Sequence, residues 1–225
     1  MGAFSFGEAR HNGGMKTKGR LIVFEGIDGA GKATQTRLLE KHLRESGRVV
    51  TVFDIPRYET AIGKFIEESL HGAHGDFRNA SPYLASLPYA IDRAGAAPLI
   101  REALKKGDVI CNRYTTSNIA FQGAKLSPRD RAAFRAFIES LEYGKLGVPK
   151  PDSVILLDVP VGTSARLISG KKKDKHESDL AYQKKVSAEY RSLARSRGWR
   201  RIKCDKGGEI LPIAEIHEKV LRALE

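Results

Sequence analysis

Cysteine is scarce: the 225 residues hold two, Cys111 and Cys204. Neither lies in a C-x-x-C or among histidines. The pair therefore offers no disulfide framework and no zinc site, and reduced structural thiols in a reducing compartment are expected. Long apolar runs are missing too. Nothing approaches the roughly 18 consecutive apolar residues of a membrane span. The start lacks the charged-then-apolar pattern of a secretory signal, so a cytoplasmic protein that enters no membrane is expected. In the basic stretch 191–206 the one aromatic is Trp199, which is a poor basis for stacking single-stranded nucleic acid. No G-x-G-x-x-G occurs, which argues against a dinucleotide fold.

What is present is ordinary for a soluble domain: 41% hydrophobic and 29% charged residues. The length suits one domain with a large buried core. The net charge of +12 is unevenly spread. Residues 171–206 hold 13 Lys and Arg against 5 Asp and Glu, and residues 8–20 add a further +3. A polyanionic partner fits such an excess, whether nucleic acid, a membrane surface or a phosphorylated small molecule, and a solvated helical face with a loose basic arm fits it equally.

Residues 1–19 show no periodicity, and a flexible arm is expected there, with Met15 an alternative start. One domain is then expected over 20–225. Leu21 to Phe24 is a short apolar run, read as a buried strand. Residues 31–46 carry Leu38, Leu39 and Leu43 on one helical face and stop at Gly47. Further strands are expected over 49–53, 109–111, 153–158 and 201–204. Helices are expected over 60–70, 81–106, 114–123, 128–142, 162–169, 178–197 and 209–224, with Pro82, Pro88 and Pro98 marking starts or bends. Short apolar strands alternating with amphipathic helices predict a three-layer α/β/α fold around a five-stranded parallel sheet. Ligands of such sheets bind beyond the carboxyl ends of the strands.

The loop after the first strand is Gly26-Ile27-Asp28-Gly29-Ala30-Gly31-Lys32-Ala33-Thr34. It matches the phosphate-binding loop G-x-x-x-x-G-K. Its backbone N–H groups turn inward around phosphate oxygens, and the following helix points its positive end at them. Lys32 is the mobile cation for the outer phosphates. The pattern then departs, because Ala33 stands where Ser or Thr normally ligates Mg²⁺.

Four more segments join this loop in order: Pro56-Arg57-Tyr58, Asp92-Arg93 within YAIDRAG, Arg113 to Gly123 (RYTTSNIAFQG), and GVPKPD before the fourth strand. Together with FEGIDGAGK they make residues 20–224 resemble the thymidylate kinase family, which phosphorylates dTMP with ATP. The resemblance implies that Gly26 through Thr34, with Arg166 near the adenine, bind ATP. It implies Mg²⁺ as cofactor and a basic lid over about 168–178. Asp28 would meet the acceptor sugar or the metal. Pro56, Arg57 and Tyr58 would flank the acceptor phosphate, Tyr89 would stack on thymine, and Arg93 would donate to a thymine carbonyl. Arg113 would clamp the phosphate, Asn118 would read the polar base edge, and Phe121 would close the deoxyribose side. Lys32, Arg113, Asp28 and the lid lysine Lys172 are the catalytic candidates, with Asp28 and Glu177 as metal candidates. A homodimer is also implied.

The chemistry of these residue types agrees. A guanidinium fork matches phosphate or carbonyl oxygens, and a flat ring suits a flat base. The acceptor phosphate is already ionised near neutral pH, so no strong general base is needed. Two further departures stand out: Asn112 precedes Arg113 where the family usually has Asp, and Gly29 stands where some members carry an arginine. They keep open a nucleotide-binding protein with impaired catalysis, or a regulator associated with nucleic acid. A kinase for another monophosphate or a deoxynucleoside is a third reading, against which Arg93 and Asn118 argue.

Overall fold

The computed structural model describes residues 19–75, 77, 79–167 and 179–225. The expected arm over 1–19, Gly19 apart, and the expected lid over 168–178 fall outside them. Lys172 and Glu177 therefore lie outside the described residues as well.

Five strands form one sheet in the order β2 (Val50–Asp54), β3 (Asp108–Asn112), β1 (Leu21–Glu25), β4 (Ser153–Asp158) and β5 (Arg200–Lys203). Every pairing is parallel. Central β1 is buried along its whole length, which explains its unbroken apolar run: a parallel strand is covered on both faces. Side chains alternate between two cores. Ile22, Phe24, Ile110 and Ile155 join one cluster, and Leu21, Val23, Val109 and Cys111 join the other.

The helices are α1 (Lys32–Glu45), α2 (Ala61–His71), α3 (Pro82–Lys106), α4 (Thr115–Gly123), α5 (Arg131–Glu139), α6 (Val161–Leu167), α7 (Leu180–Arg197) and α8 (Ile213–Arg222). The 25-residue α3 fills the helix expected over 81–106, with Pro82 at its start and Pro88 and Pro98 inside it; each interior proline forfeits a backbone bond, but a buried face of Ala85, Ala96 and Ile100 packs the helix onto the protein. Two details differ from expectation. The helix expected over 128–142 ends as α5 and continues as a π-helical turn over Ser140–Lys145. The closing helix expected from residue 209 begins only at Ile213. Before it, β6 (Asp205–Lys206) and β7 (Glu209–Ile210) pair antiparallel as a small hairpin.

Candidate active site

The phosphate loop forms where β1 hands over to α1. Gly29 and Gly31 sit at φ 76° and 85°, a left-handed conformation that glycine adopts without steric cost. Gly26 has no room for a side chain, because a Cβ there would lie 2.7 Å from the Leu157 carbonyl oxygen. Lys32 is only 7% exposed. Its Nζ donates to the carbonyls of Gly26, at 3.0 Å, and Ile27, at 2.9 Å. The ammonium is thus held inside the loop's own concavity. Ala33 is exposed and Thr34 half-buried.

Beside the loop lies a pocket of about 150 Å³. It gathers Asp28, Pro56, Tyr58, Tyr89, Arg93, Arg113, Asn118 and Phe121, eight of the nine residues expected around the acceptor. Ser117, Gln122 and Tyr182 also line it. Arg57 does not. Its Nε donates to Asp92 Oδ1 at 2.9 Å, its Nη2 to the Asp92 carbonyl at 2.8 Å, and its backbone N to Oδ2 at 3.0 Å. Asp92, buried and given no role from the sequence, anchors Arg57.

Arg113 follows β3 at φ 68°, a conformation rare for residues other than glycine and costly by about 1–3 kcal/mol. Its backbone N donates to the Phe24 carbonyl at 3.0 Å, which ties the strained residue to β1. Its Nη2 donates to Asp28 Oδ1, and its guanidinium carbon lies 5.0 Å over the Phe121 ring. Burial alone would lower the guanidinium's pKa. The charges of Asp28 and Glu25 outweigh that and hold it above its ordinary value. Asp28 Oδ2 accepts from Gln183 Nε2 at 3.2 Å, so both carboxylate oxygens already have donors.

Two buried carboxylates organise the pocket wall, and neither stands out in the sequence. Glu142, on the π-helical turn, accepts from Arg93 Nε at 2.5 Å and Nη2 at 2.6 Å, from Thr115 Oγ1 at 2.7 Å, and from Asn118 Nδ2 at 3.0 Å. Burial opposes the Arg93 charge, and the charge and hydrogen bonds of Glu142 more than offset it, so the Arg93 pKa is raised. Asn118 Nδ2 also donates to the Ser86 carbonyl at 3.0 Å. That fixes the amide's orientation and leaves Asn118 Oδ1 a buried acceptor without a partner. Glu25, at the end of β1, accepts from the Tyr114 backbone N at 3.0 Å, Ser117 Oγ at 2.6 Å, Tyr190 Oη at 2.8 Å, and Thr116 Oγ1. Burial and then the Glu25 charge push the Tyr190 phenol well above its ordinary pKa, so it remains a donor.

Arg166 ends α6 away from this pocket, with Nη2 donating to the Gly208 carbonyl at 3.2 Å. Asn112 Nδ2 donates to Asp54 Oδ1 at 2.8 Å. Among the described residues no three His, Cys, Asp or Glu side chains come together as a metal cluster.

The comparisons with known proteins point one way. The family model described as thymidylate kinase matches residues 24–210. The thymidylate kinase of Mycobacterium tuberculosis (strain H37Rv) is 36% identical over 188 residues, covering 80% of this chain and 87% of that protein. The thymidylate kinase of Synechococcus sp. (strain CC9311) is 32% identical over 215 residues, 92% of this chain and 95% of the relative. A solved structure of thymidylate kinase from Candida albicans superposes with a TM-score of 0.72 at 25% identity, covering 91% of this chain and 90% of that one. The chain belongs to the thymidylate kinase family.

Proposed function

We propose that the protein transfers the γ-phosphoryl group of ATP to dTMP, giving dTDP and ADP. The observation that carries the base choice is the pair at the pocket wall: Arg93 as donor and Asn118 Oδ1 as an unpartnered acceptor. Thymine presents a carbonyl to the first and its N3–H to the second. Cytosine presents a lone pair at N3 and would leave the Asn118 oxygen unsatisfied. A buried unpaired group costs about 1–3 kcal/mol, roughly 5- to 150-fold. The cavity's 150 Å³ is below the roughly 300–1,000 Å³ of pockets that enclose a whole ligand. It fits the base, with the sugar and phosphate at the mouth beside Arg113.

The loop amides and the α1 N-terminus hold the ATP phosphates, and Lys32 neutralises charge that builds on the transferring group. Arg113 exchanges Asp28 for the acceptor phosphate. An acceptor oxygen, ionised near neutral pH, attacks the γ-phosphorus in line, and the bond to the β–γ bridging oxygen breaks. The protein supplies positioning and charge, with no covalent intermediate. A bound Mg²⁺ would supply positive charge against the phosphate oxygens. We assign Asp28 and Glu177 to it. The paired state of Asp28 fits an ion held largely by phosphate and water and not an all-protein cage. Glu177→Gln should raise the Mg²⁺ concentration needed for half-maximal rate, and an unchanged requirement counts against the assignment.

A coupled ADP-release assay across dTMP, dUMP, dCMP, AMP and thymidine tests the whole reading. We expect dTMP to be the best acceptor; tight ATP binding with no turnover of any monophosphate sinks it and favours the nucleotide-binding alternative. We also infer a homodimer. Leu84 and Ile91, seven residues apart on α3, are 65% and 54% exposed, which supports an apolar contact there. Sedimentation equilibrium at the mass of one 24.8 kDa chain would refute it. No helix among the described residues is long and apolar enough to cross a membrane. Free, buried Cys111 and Cys204 support a reducing compartment, for which we propose the cytoplasm.

A further inference from the structure

A larger cleft, of about 620 Å³, lies at the far end of the sheet. It opens where β4 and β5 begin, with Ser153 and Arg200 in its wall, whereas the phosphate loop follows the carboxyl end of β1 in the same parallel sheet. Its volume is that of a small-molecule site. Part of its wall is the basic stretch that phosphate chemistry at the loop leaves without a role: Arg197, Trp199 and Arg200, joined by Lys150. The acids there are engaged. Glu139 pairs with Arg197, and Asp152 Oδ2 accepts from the Leu21 backbone N at 2.7 Å. Lys150 Nζ lies 5.8 Å over the Tyr143 ring. Among the described residues neither Lys150 nor Arg200 has a carboxylate partner.

We propose that this cleft is a second ligand site, for a nucleoside phosphate. The three cations of the cleft, Lys150, Arg197 and Arg200, outnumber its two acids, Glu139 and Asp152, which favours an anion, and the indole of Trp199 offers a flat ring a stacking or edge contact. A nucleoside phosphate carries both features in one molecule. The cleft also shares walls with the substrate pocket's supports. Thr116, which donates to Glu25, lines it, as does Tyr143, the residue after Glu142. An occupant therefore touches Thr116 of the Glu25 network and the neighbour of Glu142, which holds Arg93 and Asn118, and its presence should shift the KM for dTMP.

Trp199 is the only tryptophan in the chain, so tryptophan emission reports this cleft. The experiment titrates dTTP into the full protein with ADP and dTMP saturating the catalytic pocket. It reads emission, and equilibrium dialysis of labelled dTTP gives an independent count. The expected result is one saturable site per chain, weakened at least tenfold in the Lys150→Ala/Arg200→Ala double variant. That variant should turn over like the wild type without dTTP and lose the dTTP-dependent shift in KM. Three results overturn the proposal: no binding by either readout, binding of unchanged strength in the double variant, or inorganic pyrophosphate binding as tightly as dTTP. Binding is read without turnover, so failure here leaves the kinase reading standing, and failure of that reading leaves this measurement interpretable.

Discussion

Removing the Glu142 side chain tests the pocket wall most directly. Arg93 and Glu142 have side chains 2% and 0% exposed, and they meet through two hydrogen bonds of 2.5 and 2.6 Å. Glu142→Ala strands a guanidinium in the interior. Breaking a buried pair from one side costs about 3–5 kcal/mol, a large share of the roughly 5–15 kcal/mol of a whole domain. With a urea dependence of about 2 kcal/mol per M, the unfolding midpoint should fall by about 2 M. The double variant Arg93→Met/Glu142→Leu removes both charges, a change that is neutral or better in other folds. Here the Thr115 hydroxyl and the Asn118 amide lose an acceptor, each worth about 1 kcal/mol. The double variant should therefore be more stable than Glu142→Ala. Both variants should raise the KM for dTMP and leave that for ATP near wild type. A single variant within about 1 kcal/mol of wild type, or a double variant no more stable than the single, refutes the reasoning.

Three further outcomes are expected. Lys32→Ala should cut kcat by about 10²–10³-fold, the worth of one preorganised charge-stabilising group; a rate within tenfold of wild type removes Lys32 from the cradle. Asp108 is buried at the start of β3, with Arg48 Nε donating at 2.6 Å and the Arg20 backbone N at 2.8 Å. Burial would raise its pKa, but Arg48 and Arg20 together hold it below the usual carboxylate value. The stability it adds is therefore present above about pH 4 and is lost as pH falls through the lowered folded value. The melting-temperature deficit of Asp108→Asn should be steady from pH 5 to 7 and shrink toward pH 3, and an equal deficit at both ends contradicts it. Burial, ahead of nearby carboxylates, pushes both thiols up, Cys204 to about 12. Neither should react with a thiol reagent at pH 8 before unfolding, and prompt labelling of the native protein would show the burial to be wrong.

The strands and the phosphate loop were legible because they are local. Apolar runs, glycines and one lysine carry them within a few residues. The residues that line the pocket beside the loop were legible through the family resemblance, but their wiring was not. Glu142 lies 49 positions from Arg93, and in sequence it is one acid on an amphipathic helix. Glu25 and Asp92 were hidden in the same way, inside motifs read for other residues. Arg57 is placed beside the acceptor phosphate by the family resemblance, and only the fold shows Asp92 holding its Nε and Nη2. The small hairpin has a local signal of its own. Gly207-Gly208, at φ 61° and 87°, stands between Lys206 and Glu209 as a two-residue turn, while the period of the following helix blurs back over it.

The ring of donors around Glu25 has a consequence for how the molecule breathes. α4 is nine residues long, too short to hold itself together in water. One carboxylate at the end of β1 nevertheless fastens its first turn through Tyr114, Thr116 and Ser117, and fastens α7 through Tyr190. The strand that launches the phosphate loop, the helix that carries Asn118 and Phe121, and α7 are thereby joined in one cooperative opening unit. Fraying α4 means unbonding a buried charge, so the phosphate loop and the pocket beside it should open together or stay closed together.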